Sequence, residues 1–404
     1  MRVLLAVWGL LVFNQPSHAT EIGKNARWSL QYKTALVAKA AFSPDSKTIA
    51  TANGDGKIQL WDANTGRLLQ TSTVGARGMD NSIHYSPNGK FLVAKNKILD
   101  AKTLQLKYTL GHRATVSDYS PDGSLIAAVV SFPQAKRPME LNVYDANTGR
   151  KVITLTKGKA ENYYPSSLQF TSDSRFLLVG VQNKRSGIEL WEVKTGKKVK
   201  TVKTKFDVTA LELSPDQKTI ALGAILSGSK KRKSSYSIRL YHHPSLRPMH
   251  RFPPLKGHVT SLAFHRAGKL LASSQYSSRP SVQLWDVEKR RPHLKFQAMT
   301  RNANLVRFSP DGRLMAVALY TFGNLGNPDT LGLFDVGTQA QLNKSGALND
   351  MSTFRSGQRV KARINGRWYP GQVNKSSRSN YLLKMDNRQP KFWMWVKPGD
   401  LRAL

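Results

Sequence analysis

One short pattern recurs seven times along this chain and limits the fold more than any other feature. A turn rich in Ser, Pro, Asp and Gly is followed each time by an apolar run. It reads FSPDSKTIAT at 42–51, YSPNGKFLVA at 85–94, YSPDGSLIAA at 119–128 and FTSDSRFLLV at 170–179. It continues as LSPDQKTIAL at 213–222, FHRAGKLLAS at 264–273 and FSPDGRLMAV at 308–317. From Ser43 to Ser309 the six intervals cover 266 residues, a period of about 44. A period of this size marks an architecture of stacked supersecondary units, none of which buries its faces alone. With 40% hydrophobic and 9% aromatic residues, the chain has enough apolar surface for a core, which excludes wholesale disorder.

A second pattern trails each of the first. It is IQLWDANTG at 58–66, KILDAKT at 97–103, LNVYDANTG at 141–149 and IELWEVKTG at 188–196. The last three are IRLYHHPSL at 238–246, VQLWDVEKR at 282–290 and LGLFDVGTQ at 331–339. Each alternates with period two, as a half-buried strand does, and ends in residues that cap turns and tolerate positive φ.

These phased motifs resemble the WD40 repeat. Trp-Asp is literal at Trp61-Asp62 and Trp285-Asp286, and nearly so at Trp191-Glu192, Tyr144-Asp145 and Phe334-Asp335. Gly-His occurs at Gly111-His112 and Gly257-His258. The resemblance spans roughly residues 28–345 and implies an all-β, seven-bladed β-propeller with four strands per blade, a ring being one way to protect blade edges. A full repeat of this family links His, Ser or Thr, a turn Asp and Trp by hydrogen bonds. The first repeat has Thr51, Asp55 and Trp61, and the sixth has His258, Ser273 and Trp285. No repeat has all four, so blade cohesion is expected mainly from apolar burial. The second repeat is short, with Leu99 at the Trp position. Either residues 26–33 or residues 338–343 can supply the strand that completes the last blade.

The ends differ from the repeats. Residues 1–19 read as a signal peptide: Arg2, an apolar run Val3–Phe13, and small residues at Ser17 and Ala19 before Thr20. The propeller is assigned to 20–341, a polar linker to 342–353 and a second small domain to 354–404. Strand signals at 358–364, 367–373, 380–386 and 392–402 predict a five-stranded SH3-like barrel. Gly366-Arg367-Trp368-Tyr369-Pro370, Tyr381-Leu382, Trp395-Val396 and Asp400-Leu401-Arg402 resemble Tudor-like and chromo-barrel domains. That resemblance implies an aromatic cage for methylated lysine, with Tyr369 and Phe392 on two of its positions and Met385 where a third aromatic usually stands. Trp368, Tyr381 and Trp395 are expected in the barrel core.

Charge supplies the strongest functional hint. There are 62 Lys and Arg against 25 Asp and Glu, a formal net +37. Residues 354–404 hold 12 basic and 2 acidic side chains, so both domains are basic. In each blade the turns of the two motifs lie on one face and hold 12 of the 25 acids, many of them turn caps. The loops of the other face are basic. They carry Lys136, Arg137, Lys184, Arg185, Lys230, Lys231, Arg232, Lys233 and Arg279, together with Lys157, Lys159, Lys203 and Lys205. A concave surface of one sign attracts polyanions.

Chemistry is sparse by comparison. With no Cys, disulfide frameworks, cysteine nucleophiles and thiolate metal sites are excluded. His242, His243 and His250 form the one histidine cluster and lack metal-ligand company. No catalytic residue, metal or cofactor is assigned. The expected protein is a non-catalytic, exported scaffold, periplasmic or extracellular, whose basic face binds an acidic protein, an envelope polymer or nucleic acid. Two alternatives remain open: a propeller enzyme of the lyase, lactonase or hydrolase type working in the channel, and a methyl-lysine reader.

Overall fold

The computed structural model describes residues 26–32, 37–74, 82–111, 114–132, 137–156, 163–183, 186–228, 233–276, 282–295, 302–320 and 329–336, and strands between 359 and 403. Strand β1 (Ala26–Tyr32) precedes the repeats. Blade 1 is β2 (Val37–Phe42), β3 (Thr48–Asn53), β4 (Lys57–Asp62) and β5 (Leu68–Thr73). Blade 2 is β6 (Ile83–Tyr85), β7 (Phe91–Ala94), β8 (Lys97–Asp100) and β9 (Leu106–Thr109). Blade 3 is β10 (Ala114–Tyr119), β11 (Leu125–Phe132), β12 (Arg137–Asp145) and β13 (Lys151–Thr154). Blade 4 is β14 (Tyr164–Phe170), β15 (Phe176–Gln182), β16 (Gly187–Glu192) and β17 (Lys197–Lys203). Blade 5 is β18 (Asp207–Leu213), β19 (Thr219–Leu226), β20 (Ser235–His242) and β21 (Pro248–Arg251). Blade 6 is β22 (His258–Phe264), β23 (Leu270–Tyr276), β24 (Val282–Asp286) and β25 (Arg291–Lys295).

Blade 7 is β26 (Asn302–Phe308), β27 (Leu314–Tyr320) and β28 (Asp329–Asp335), and β1 supplies its fourth strand. The pairing is antiparallel, from Trp28 opposite Leu333 to Tyr32 opposite Asp329. The N-terminal of the two possible strands therefore closes the ring. The first strands β2, β6, β10, β14, β18, β22 and β26 adjoin one another in that order, and β26 returns to β2.

The repeated turn explains why each blade forms. In blade 1, Ser43 Oγ donates to Asp45 Oδ1 at 2.6 Å, the Lys47 N–H donates to the same oxygen at 3.0 Å, and the Thr48 N–H reaches Ser43 Oγ at 2.9 Å. The same bracket recurs from Ser86 to Asn88, Ser120 to Asp122, Thr171 to Asp173, Ser214 to Asp216 and Ser309 to Asp311. The residue after the acid position takes a left-handed backbone in all seven blades, with φ from 59° at Ser174 to 75° at Gly123 and Gly312. Glycine suits that position because it has no Cβ to clash with the backbone. The second motif's turn works alike: Asp62 Oδ1 accepts the Asn64 and Thr65 N–H groups at 3.0 and 2.8 Å.

Apolar burial sits between blades. Phe42, Ile49 and Trp61 of blade 1 pack with Leu305, Leu314, Leu331 and Leu333 of blade 7, which seals the ring. The family's four-residue network is reduced to single bonds, as expected from the sequence. Trp61 Nε1 donates to Thr51 Oγ1 at 3.1 Å and Trp285 Nε1 to Ser273 Oγ at 2.9 Å. His258 Nε2 finds no partner among the described residues, and Asp55 pairs with Lys57 instead, at 3.6 Å. Blade 4 has a substitute, in which Tyr163 and Trp191 both donate to Glu189 Oε2, at 2.8 and 3.0 Å. Blade 2 is complete despite its short strands, and Leu99 is fully buried with Ile58, Leu60 and Leu92.

The chain divides after Val336 into two compact units. The second contains a five-stranded antiparallel sheet of β29 (Arg359–Ile364), β30 (Arg367–Ser376), β31 (Tyr381–Met385), β32 (Trp393–Val396) and β33 (Leu401–Ala403). The order is β32-β31-β30-β29-β33, so the last two strands lie on opposite edges of the sheet. The segment 392–402, read as one strand signal, is thus two strands. Tyr369 stands in β30 opposite Ala362, whereas Phe392 lies outside the described residues, as do residues 1–19.

Candidate functional site

The seven first strands surround a cavity of about 410 Å³ on the propeller axis. Successive side chains of a strand point to opposite faces, so alternate residues of each first strand face the channel. Two positions before the Ser of each turn stand Ala41, His84, Asp118, Gln169, Glu212, Ala263 and Arg307, in blade order. Lys39 stands two residues earlier still in blade 1. Lys39, His84, Asp118, Gln169, Glu212 and Arg307 all line the cavity. Five ionisable groups and an amide therefore meet in one space although 268 residues separate Lys39 from Arg307.

Several lining side chains also tie adjacent blades together. Asp118 Oδ2 accepts the Phe170 N–H at 2.8 Å, and Gln169 Oε1 accepts the Leu213 N–H at 2.6 Å. Arg307 Nη1 donates to Ser261 Oγ at 2.9 Å and to the Leu262 carbonyl at 2.7 Å. Hydroxyls extend the pattern, from Ser166 to the Val208 carbonyl, Thr209 to that of Val259 and Thr260 to that of Ala303, at 2.5, 2.8 and 2.8 Å.

The site is electrostatically tense. Its side chains face the channel space but are otherwise enclosed by protein, and enclosure disfavours charge. Burial, then the Arg307 charge, lowers Lys39 to about 8. Burial, then Arg307 and Lys39, lowers His84 to about 3, which leaves it neutral at ordinary pH. Burial pushes Asp118 up to about 7, opposed by its bond from Phe170 and reinforced by Glu212. Burial pushes Glu212 up to about 7 as well, opposed by Arg307. Among the described residues, no ion pair within 4.0 Å involves any of these five groups. No group of three metal-ligating side chains occurs among the described residues.

Of the basic residues read from the sequence, few fall within the described residues. Lys203, Lys205 and Lys233 do, and all three are exposed, and so does the backbone of Arg137. Two corrections apply to their placement. Arg137 opens β12, opposite Phe132, and is not in a loop. Lys203 ends β17, opposite Gly187, because that outer ladder runs further than the alternation suggested. Lys136, Lys157, Lys159, Lys184, Arg185, Lys230, Lys231, Arg232 and Arg279 lie outside the described residues. The structure does bring Lys203 together with Lys197, Lys198 and Lys200 on the outer strand of blade 4. Of these, Lys198 is held by Glu189 at 2.5 Å. Lysines on an outer strand also protect it from pairing with other chains.

The histidines near residue 242 are used separately. His242 is exposed, His243 Nδ1 donates to the Gln217 carbonyl at 2.8 Å, and His250 packs edge-on against Phe252 at 4.9 Å. The acids of the turns are equally occupied. Bonds from its own turn, the Thr65 N–H first, hold Asp62 below the usual carboxylate range, and the Ser43 hydroxyl does the same for Asp45.

Phased turns, third strands that end in Trp-Asp in blades 1 and 6, and a closed ring of seven blades define a WD40-repeat β-propeller. The WD40 family model (WD domain, G-beta repeat) matches residues 29–62 and 248–286, which contain both literal Trp-Asp pairs. Among curated proteins, the chain is similar to eukaryotic translation initiation factor 3 subunit I. Identity is 20% to the Brugia malayi protein, over 62% of this chain and 80% of that one. It is 25% to the Homo sapiens protein, over 60% and 78%. WD repeat-containing protein 1 of Rattus norvegicus is 27% identical over 40% of this chain and 27% of its own length. Among solved structures, the β-propeller domain of Myceliophteria thermophila Cps50 (Swd1) superposes with a TM-score of 0.63 at 13% identity, covering 78% of this chain and 99% of that one. At that identity the likeness shows the fold alone. WD40 propellers are scaffolds for protein interaction and are generally not enzymes, and this chain is a propeller of that class.

Proposed function

We propose that the chain is an exported, non-catalytic scaffold whose basic propeller surface binds an anionic partner, with a basic SH3- or Tudor-like domain as a second contact. The observation that carries this reading is the occupation of the acids. Asp45, Asp62, Asp122 and Asp216 all accept hydrogen bonds within their own turns. They serve the backbone, while Lys203, Lys205 and Lys233 remain exposed. The excess of basic side chains over the whole sequence, a net +37, then lacks internal compensation and sets up a long-range attraction for anions. Two sites on one chain raise avidity without new contacts.

Heparin and duplex DNA binding across a salt series tests the reading. A polyanion contact predicts a log–log slope on the order of several, near the number of phosphates or sulfates neutralised. A flat salt dependence overturns it. Amino-terminal sequencing of exported protein, expected to begin at Thr20, tests the export.

A further inference from the structure

The channel groups are sorted around the ring. Arg307, Lys39 and His84 come from the adjacent blades 7, 1 and 2, while Asp118, Gln169 and Glu212 come from the adjacent blades 3, 4 and 5. Blade 6 adds only Thr260, Ser261 and Leu262. One arc of the wall therefore presents cations and a neutral imidazole, and the other presents acceptors. The side chains of Lys39, His84 and Glu212 form no hydrogen bond or ion pair with described residues. Arg307, which also lines the cavity, uses only its Nη1 in hydrogen bonds to described residues, which leaves Nη2 and Nε without one. Ionisable groups enclosed without partners are costly. The volume, about 410 Å³, lies at the small end of ligand pockets.

We propose that this channel is a binding site for a small dipolar molecule, an amino carboxylate of amino-acid to dipeptide size. Its carboxylate meets Arg307 and Lys39, and its ammonium meets Glu212 and Asp118. Opposite charges held apart in a low-dielectric channel select a ligand with the same separation and reject molecules bearing one charge, because those leave half the wall unpaired. The site is independent of the basic outer surface, and it needs no chemistry from the wall.

The test is calorimetric titration of the full chain with glycine, 4-aminobutanoate, 6-aminohexanoate and glycylglycine, against butanoate and butylamine. At least one dipolar probe is expected to bind saturably and at least tenfold more tightly than either singly charged analogue. Glu212→Gln and Lys39→Gln are each expected to weaken that probe by tenfold or more, while Lys57→Gln, on an exposed lysine, leaves it unchanged. Should either channel variant fold poorly by circular dichroism, NMR of the wild-type chain replaces it: the imidazole signals of His84 shift on saturation and those of exposed His242 do not. Absence of saturable binding by every dipolar probe overturns the proposal. So does equal binding of the singly charged analogues, or an unshifted His84.

Discussion

Two positions at the end of each first strand and the start of its turn, only two residues apart, behave in opposite ways across the repeats. The Ser or Thr that opens the turn is present in six of the seven blades, and His265 replaces it in the remaining one. The residue two places before it is Ala, His, Asp, Gln, Glu, Ala and Arg in turn. One sits near the end of the strand and the other just past it, yet the second serves its own blade and the first faces the shared channel. The repeat is strict where every blade must solve the same local problem, closing a turn, and relaxed where the blades jointly line a space. Departures from a repeat therefore locate what the ring as a whole contributes.

The comparison breaks first at the apolar framework, where the largest effect is expected. Trp285 is 1% exposed, packs on Phe252 at 4.8 Å and donates to Ser273. Trp285→Ala should cost about 3–5 kcal/mol, the usual penalty for emptying a large aromatic site. Denaturant melts measure it. Binding to channel probes should persist wherever the variant remains folded, since Trp285 does not line the cavity.

A channel change should behave in the opposite way. The folded-state pKa of Glu212 is raised from 4.5 to about 7. The folded chain therefore holds that proton more tightly than the unfolded chain. Glu212's contribution to stability falls as pH climbs from about 4 through about 7, because ionisation inside the channel is penalised. Glu212→Gln removes the penalty. At pH 8 the variant should be more stable than the wild type by on the order of 1–2 kcal/mol, a figure discounted for channel water. The gain should vanish below pH 4. Melting both proteins from pH 4 to 8 gives the difference directly. His84, lowered to about 3, slopes equally in both proteins and cancels, whereas Asp118, raised in part by the Glu212 charge, loses that part of its shift in the variant and adds to the difference in the same sense.

Much of this was legible in the sequence. The seven turns, the third strands and the Trp positions all fall where the motifs place them, because local hydrogen bonding and period-two burial fix them. Ring closure was not legible, since 26–33 and 338–343 both carry strand-like alternation; only pairing with β28 decides for Ala26–Tyr32. Arg137 and Lys203 were read as loop residues because charge marks solvent, and the ends of outer ladders are also solvated. The channel set escaped because each repeat supplies about one residue to it. The signal was available in the position two before each turn Ser, but only alignment of the repeats against one another exposes it.

The turn acids give a smaller effect of the framework kind. Asp145 Oδ1 accepts the Asn147 and Thr148 N–H groups at 3.0 and 2.8 Å and the Thr148 hydroxyl at 2.8 Å. Asp145→Ala should destabilise by about 1–2 kcal/mol. Hydrogen bonds of its turn, the Thr148 hydroxyl first, hold Asp145 below its ordinary value. Its contribution is therefore present above the unfolded pKa of about 4 and lost as pH falls through the lower folded value. The gap between wild type and Asp145→Ala should narrow below pH 4, the reverse of the Glu212 trend, and the two variants melted side by side separate the two kinds of position.

The smallest effect concerns the left-handed residue of the turn, where the repeat itself varies between Gly and a side chain. Ser46, Ser174 and Gln217 adopt φ of 62°, 59° and 60°, a conformation that costs an L-residue about 1–2 kcal/mol. Each reaches across to a neighbouring blade. Ser46 Oγ accepts the Asp311 N–H at 3.0 Å, Ser174 Oγ accepts that of Asp122 at 3.1 Å, and Gln217 Oε1 accepts that of Ser172 at 2.9 Å. A strained backbone is thus exchanged for a bond between blades, worth about 0.5–1.5 kcal/mol. Gln217→Gly relieves the strain and removes the bond, so its net effect on stability should lie within about 0.5 kcal/mol of zero. Hydrogen exchange separates the two halves of that cancellation: the Ser172 amide should lose protection while the melting midpoint stays nearly fixed. A loss of 2 kcal/mol or more would mean that blades 4 and 5 depend on this rim contact, and that the turn position belongs with the channel as a place where blades act jointly.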